Sequence, residues 1–129
     1  MAKITGLGGV FLPTPNDTKE LLQWYKNNLG LDISDFGINF LLPNETTLIT
    51  FSNKNDDAIL NFSVDNLEEF LHELKEKNVE IHQDIENFDF GSFARIKDPF
   101  GSIIELAQIN KEAYIKMTKK EIADYNKDS

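Results

Sequence analysis

Apolar residues recur along the chain with two different periods, and the switches between them lay out the elements. The stretch "ITGLGGVFLP" has the β-branched and aromatic content of a strand, but Gly8, Gly9 and Pro13 interrupt it. That combination predicts a strand pressed close to a neighbouring backbone, at an edge or a seam. In "NDTKELLQWYKNNLGLDI", Leu21, Leu22, Tyr25 and Leu29 fall at helical spacing, with Asn16 or Asp17 placed to cap the start and Gly30 to stop the end. Two short runs, "GINFLL" and "TTLITFS", flank the turn residues of "PNE" and read as a hairpin. After the polar break "NKNDD" the pattern restarts: strand "AILNFSV", helix "DNLEEFLHELKEKN", strands "VEIHQDI" and "GSFARIK", turn "DPFG", and strand "SIIELAQI".

The two halves share one order, strand, helix, then three strands, once "LDISDF" is counted as the second strand of the first half. Aligned as text, Asp17 meets Asp65, Leu22 meets Phe70, Leu31 meets Val79 and Ile33 meets Ile81, a constant offset of 48 residues. Each four-stranded unit has one face covered by its helix and the other open, so two copies are expected to turn their open faces toward one another across a cleft. The expected fold is α+β, with two βαβββ modules forming a half-open, barrel-like cleft: module one about 3–53 and module two about 56–109, within a domain spanning 1–109. The tail 110–129 lacks strand alternation and is rich in helix formers. Thr118 and Glu121 have the spacing of a capping box, which allows one helix or two pieces. Its expected roles are closing the cleft, packing on another subunit, or fraying.

Composition narrows the chemistry. With 129 residues, 40% hydrophobic and 27% charged, the chain has the makeup of one globular domain able to bury a core. It holds no Cys, so disulfides, thiolate metal sites and a cysteine nucleophile are excluded and ligation falls to oxygen and nitrogen. A net charge of -9 repels nucleic acid, and no apolar run is long enough to span a bilayer. A cytoplasmic protein without nucleic-acid or membrane partners is the expectation.

Against that background Glu105 stands out, a carboxylate within the apolar run "SIIELAQI". A charge in a half-buried strand is costly unless it is solvated, paired, or used. Alternation puts Ile103, Glu105 and Ala107 on one face and Ser102, Ile104 and Leu106 on the other, and does not say which face is the cleft. On the preceding strand Phe93, Arg95 and Lys97 oppose Ser92, Ala94 and Ile96. If Ala94 and Ile96 are core, Arg95 faces out or into the cleft, where it is able to pair with Glu105. Trp24, Phe88, Phe90, Phe93 and Arg95 are candidates for the walls of a pocket, although aromatics on a helix packed against a sheet are as well explained by the core. His82 alternates with Glu80 and Asp84 on the polar side of its strand, and His72 lies among glutamates on a helix, so both read as surface residues.

The βαβββ duplication, "WYKNNLGLDI", "FSVDNLEEFLHELKEKNVEI" and "FGSFARIKDPFGSIIEL" together resemble the vicinal oxygen chelate superfamily, which includes glyoxalases, bleomycin-resistance proteins and extradiol dioxygenases. The resemblance covers roughly residues 3 to 109. Its sharpest element is the ending Asp98, Pro99, Gly101, Glu105, Leu106. In metal-dependent members it implies a divalent cation between the modules, held by the first and a late strand of each, with Glu105 at the last ligand position. The other positions depart from the pattern. Gly8, Gly9 and Val10 stand where His or Gln is usual, the start of the second module falls at or near Ile59, and the end of the first offers Thr47 and Thr50. One carboxylate does not close a hard-cation site. No resident cofactor is expected, and a divalent metal is the alternative.

Three functions follow for comparison. The first is a small-molecule-binding protein of the glyoxalase and bleomycin-resistance type with an incomplete metal site. The second is a glyoxalase-type lyase or isomerase, similar to lactoylglutathione lyase, that uses Glu105 as metal ligand or general base, with Glu45 or Asp84 as a remote second carboxylate. The third is an interaction partner with a filled cleft. The resemblance is compatible with a monomer or a homodimer, and the sequence does not decide whether the protein is an enzyme.

Overall fold

Elements follow one another as β1 (Ile4–Pro13), α1 (Lys19–Leu29), β2 (Asp32–Ser34), β3 (Gly37–Leu41), β4 (Thr46–Ser52), β5 (Leu60–Val64), α2 (Leu67–Glu76), β6 (Ile81–Phe88), β7 (Gly91–Lys97), β8 (Ile103–Ile109) and α3 (Lys111–Asp128). They come from a computed structural model that describes residues 2–13, 18–41, 46–52, 58, 60–99 and 101–128. The fold is α+β. Its eight strands form one sheet in the order β2-β3-β4-β1-β5-β8-β7-β6. Read outward from the centre, β1-β4-β3-β2 and β5-β8-β7-β6 are the same arrangement, and the repeat expected from the text is present in space. Within each half the first and last strands run parallel (β1 with β4, β5 with β8), while the halves join through the antiparallel pair β1 and β5.

Each half packs its own helix on one face of the sheet. Val64, Leu67, Leu71, Ala94 and Leu106 are buried together beneath α2, with Ile96 and Ile104 packed against them. Leu22, Ile33 and Ile38 form the matching cluster beneath α1, completed by Tyr125 from α3. The helix ends follow local chemistry. Asn66 caps α2, its side chain accepting from the Glu69 N–H at 3.1 Å, and Gly30 ends α1 with a left-handed backbone whose N–H donates to the Lys26 carbonyl. Asn16 and Asp17, expected to cap α1, lie outside the described residues; Thr18 occupies the N-cap and makes no side-chain cap bond.

The tail is a single helix of 18 residues. It starts at Asn110, whose side chain accepts from the Ala113 N–H at 3.2 Å, and the Thr118–Glu121 spacing marks no second start. Thr118 instead lies in mid-helix and is buried at 1% exposure. The last turns of α3 reach module one: the Tyr125 hydroxyl donates to Gln23 Oε1 on α1 at 2.9 Å, and the Lys26 ammonium sits 5.4 Å from the Tyr125 ring centre. The helix is therefore tied at its far end rather than frayed. Among the described residues no helix is long and apolar enough to cross a membrane.

Candidate functional site

The sheet face opposite α1 and α2 carries a different set of side chains, fixed by strand alternation. Because Ala94, Ile96, Ile104 and Leu106 face α2, their neighbours Phe93, Arg95, Glu105 and Ala107 face the other way. In the first half, Ile38 faces α1 with Ile49 packed beside it, so Asn39 and Leu48 share the same opposite face. Of these, Asn39, Leu48, Phe93 and Glu105 line a cavity of about 460 Å³ between the halves, which α3 covers. Gly8, Gly9, Phe11, Leu48, Phe93 and Glu105 come from the sheet, and Tyr114, Met117, Thr118 and Glu121 come from one face of α3. The size and mostly apolar lining, with a few polar groups, suit a small organic molecule.

Glu105 is not open to the cavity on both oxygens. Asn61 Nδ2 donates to its Oε1 at 2.6 Å, and Arg95 Nε and Nη2 both donate to its Oε2, at 3.1 and 3.0 Å. The ion pair is largely buried, with side-chain exposures of 24% for Arg95 and 14% for Glu105. The Arg95 guanidinium carbon also lies 5.9 Å from the Phe11 ring centre, within cation–π range. Asn61, Glu105 and Arg95 are cross-strand neighbours on β5, β8 and β7. Across the antiparallel pair β1–β5 the same row continues as Gly9, Leu48 and Asn39, all uncharged.

That row decides how well a divalent cation fits. Counted from the β2–β3 and β6–β7 turns, Gly37 corresponds to Gly91 and Leu41 to Arg95, so Thr46, the cross-strand partner of Leu41, is the counterpart of Glu105, one residue from the expected Thr47. Ile59 lies outside the described residues, and Leu48, two residues on from Thr46, lines the cavity. Leu48 has no donor. A Cβ on Gly9 would stand 2.5 Å from the Leu48 carbonyl oxygen, and one on Gly8 would collide with Asn61 Oδ1, so neither position has room for a ligating side chain as the strands lie. Among the described residues no three His, Asp or Glu side chains gather into a metal-holding group. The described residues at this site do not assemble the several donors that a divalent metal needs at once.

Of the residues singled out in sequence, Phe90, Phe93 and Glu105 line the cavity, and Arg95 stands behind Glu105 as its partner. Phe88 is half exposed and stacks on Phe90 with ring centres 5.3 Å apart, outside the lining. Trp24 does not line the cavity. It sits on α1, which covers the other face of the sheet, is 51% exposed, and packs edge-on against Tyr25. His72 pairs with Glu76 on the surface of α2, and Asp84 with Lys75, both away from the cavity. Glu45 lies outside the described residues.

Sequence reasoning missed Phe36 and the α3 residues. Phe36 had a signal: "DFG" occurs twice, at 35–37 and 89–91. Both copies form the two-residue turn between the second and third strands of their half, and both present their Phe to the cavity. At the module-two end the Phe90 ring lies 5.7 Å from Phe93 and 6.4 Å from Tyr114, so three rings cluster there. Burial raises the Tyr114 hydroxyl pKa, against a hydrogen bond with Thr118 that lowers it. Glu121 is also raised, chiefly by burial and then by the charge of Asp35 in the first turn.

Comparison with known proteins places this architecture. The family model described as Glyoxalase/Bleomycin resistance protein/Dioxygenase superfamily matches residues 11–106. A methylmalonyl-CoA epimerase solved in complex with methylmalonyl-CoA and ammonium superposes with a TM-score of 0.65 at 10% identity, covering 84% of this chain and 96% of that one. Methylmalonyl-CoA epimerase from Mycobacterium tuberculosis gives 0.61 at 17% identity, covering 87% and 93%. The 2,3-dioxygenase LapB from Pseudomonas sp. KL28 gives 0.61 at 18% identity, covering 82% of this chain and 41% of the dioxygenase. At these identities the likeness is one of fold alone. No curated protein matches the sequence.

Proposed function

The chain belongs to the Glyoxalase/Bleomycin resistance protein/Dioxygenase superfamily, and on that premise we propose that it binds a small organic molecule in the cavity between its halves without a metal ion. One observation carries the reading: the carboxylate at the superfamily's ligand position is already taken up by protein donors, Asn61 on one oxygen and Arg95 on the other. The uncharged Gly9–Leu48–Asn39 continuation of the row supports it, because it gives the cavity wall next to Asn61 and Glu105 no further charged donor. The lining supplies rings for contact and only a few polar groups for orientation.

A glyoxalase-type lyase or isomerase using Glu105 as base or metal ligand has less support. Such a role requires an oxygen free to take a proton or a cation, and freeing Oε2 breaks both Arg95 bonds. Glu105 and Arg95 here shape and neutralise one wall, while Phe11, Phe36, Phe90, Phe93 and Tyr114 provide the contact surface.

The test is a ligand screen by thermal shift in metal-free buffer, with hits verified by calorimetry against wild type and Leu48→Trp, which sets a large ring into the middle of the cavity wall. The reading expects organic hits that bind in the presence of EDTA and lose binding in Leu48→Trp. Hits that require an added divalent cation, or that bind Leu48→Trp as well as wild type, overturn it.

A further inference from the structure

The cavity has two unlike ends, and the unlike residue is Glu121. At one end Phe90, Phe93 and Tyr114 present rings, with no ionised group among the lining residues that α3 contributes there. At the other end Glu121 lines the wall and feels the charge of Asp35 in the β2–β3 turn, whose next residue, Phe36, also lines the cavity and is 62% exposed. The cavity's other lining carboxylate, Glu105, is neutralised by Arg95, whereas Glu121 has no hydrogen-bond or ion-pair partner among the described residues. Tyr114 and Glu121 stand seven residues apart on one face of α3, so the two ends are separated by roughly 10 Å along the helix.

We propose that Glu121, with the ring of Phe36, is the subsite for a cationic nitrogen of the ligand, and that the ligand is an organic amine whose aromatic or apolar body lies at the Phe90–Phe93–Tyr114 end. A carboxylate meets an ammonium through charge-assisted hydrogen bonds, and an aromatic face attracts the same cation. The electrostatics agree: Glu121 is held above the ordinary carboxylate range by burial and by Asp35, and a bound cation relieves the repulsion between them. An acidic chain of net charge -9 adds a favourable long-range field for such a ligand. This inference rests on the metal-free cavity proposed above and names its ligand class.

The experiment uses three matched probes on the full chain: 4-(2-naphthyl)butylamine, the corresponding alcohol, and the corresponding carboxylic acid, titrated by calorimetry at neutral pH. Wild type is expected to bind the amine roughly tenfold tighter than the alcohol, a difference of about 1.4 kcal/mol, and the acid more weakly than either. Glu121→Gln is expected to bring the amine-to-alcohol ratio close to one. If no probe binds wild type while a metal-independent screening hit does, the cavity reading stands and the amine is overturned as its ligand class; if neither probes nor screened compounds bind, the cavity reading falls as well. If alcohol and amine bind wild type alike, or the amine preference persists in Glu121→Gln, the cavity reading stands and the cation subsite is overturned. The wild-type comparison decides by itself should Glu121→Gln fail to fold, which circular dichroism reports.

Discussion

Removing Arg95 should be far more costly than removing Arg95 and Glu105 together. In Arg95→Met, the Glu105 carboxylate keeps the Asn61 amide but loses both guanidinium bonds while remaining only 14% exposed. Breaking a fully buried pair costs about 3–5 kcal/mol, and hydrogen bonds to charged groups contribute about 1.5–3 kcal/mol each. Both side chains here retain some contact with water, so we expect a loss of about 2–3 kcal/mol for Arg95→Met. Glu105→Leu strands the Asn61 amide and deprives Arg95 of its carboxylate, for a loss of about 2 kcal/mol. The double variant leaves only the Asn61 amide to be satisfied, and the Gly9–Leu48–Asn39 row shows that an uncharged cross-strand row suits this sheet; its expected loss is about 1 kcal/mol. The coupling energy is then about 3–4 kcal/mol, well above the scatter between independent sites. Urea unfolding followed by far-ultraviolet circular dichroism measures it, since a loss of 2–3 kcal/mol moves the midpoint by about 1–2 M at a typical slope. A cost below about 1 kcal/mol for Arg95→Met, or a double variant as costly as the sum of the singles, would refute the argument that Glu105 is held by its partners.

Three further outcomes follow from the same geometry. Gly9→Ala pushes a methyl group against the Leu48 carbonyl at 2.5 Å, and thermal unfolding should show a loss of about 1–3 kcal/mol, with unchanged stability contradicting the close approach. Asn66→Ala removes the side-chain cap on α2 and should cost about 1 kcal/mol, while Asn66→Asp should retain most of it. For Glu121, burial and the Asp35 charge raise the folded-state pKa above the unfolded one, so its stabilising contribution is complete at acid pH and is lost as pH rises through the raised value. On the same helix the Tyr114 hydroxyl is raised by burial and in part by the Glu121 charge, and the Tyr125 hydroxyl by burial and by the Asp35 charge. Glu121→Gln should therefore be more stable than wild type at neutral pH, with the gap closing below the ordinary glutamate range; a gap that widens on acidification contradicts the assigned direction.

Much of the architecture was legible because periodicity and turn residues agree with each other. The 48-residue offset linking Leu22 to Phe70 and Ile33 to Ile81 marks the helix and following strand of each half. Alternation around Ala94 and Ile96 leaves Arg95 facing out or into the cleft, and the β7–β8 register sets it directly across from Glu105. What alternation does not carry is which face a helix covers. Trp24 looked like a pocket wall because it is aromatic, yet α1 lies on the far side of the sheet from the cavity. The facing of the fourth strand was also out of reach: Leu48 faces the cavity and Thr47 beside it does not, which the pairing of Ile38 with Ile49 beneath α1 settles. Thr118 and Glu121 carried a true helical signal with the wrong meaning, since the spacing that makes a capping box also puts two residues on one face of a continuing helix.

The most direct test of the account is metal analysis. Protein purified without a metal-affinity step is assayed for bound metal by mass spectrometry, and wild type and Glu105→Ala are compared in thermal shift with zinc, nickel, manganese and iron(II). The account predicts substoichiometric metal and no stabilisation of wild type that Glu105→Ala abolishes. One equivalent of a divalent metal, or a Glu105-dependent rise in melting temperature, would contradict it and make Glu105 the anchor of a metal centre.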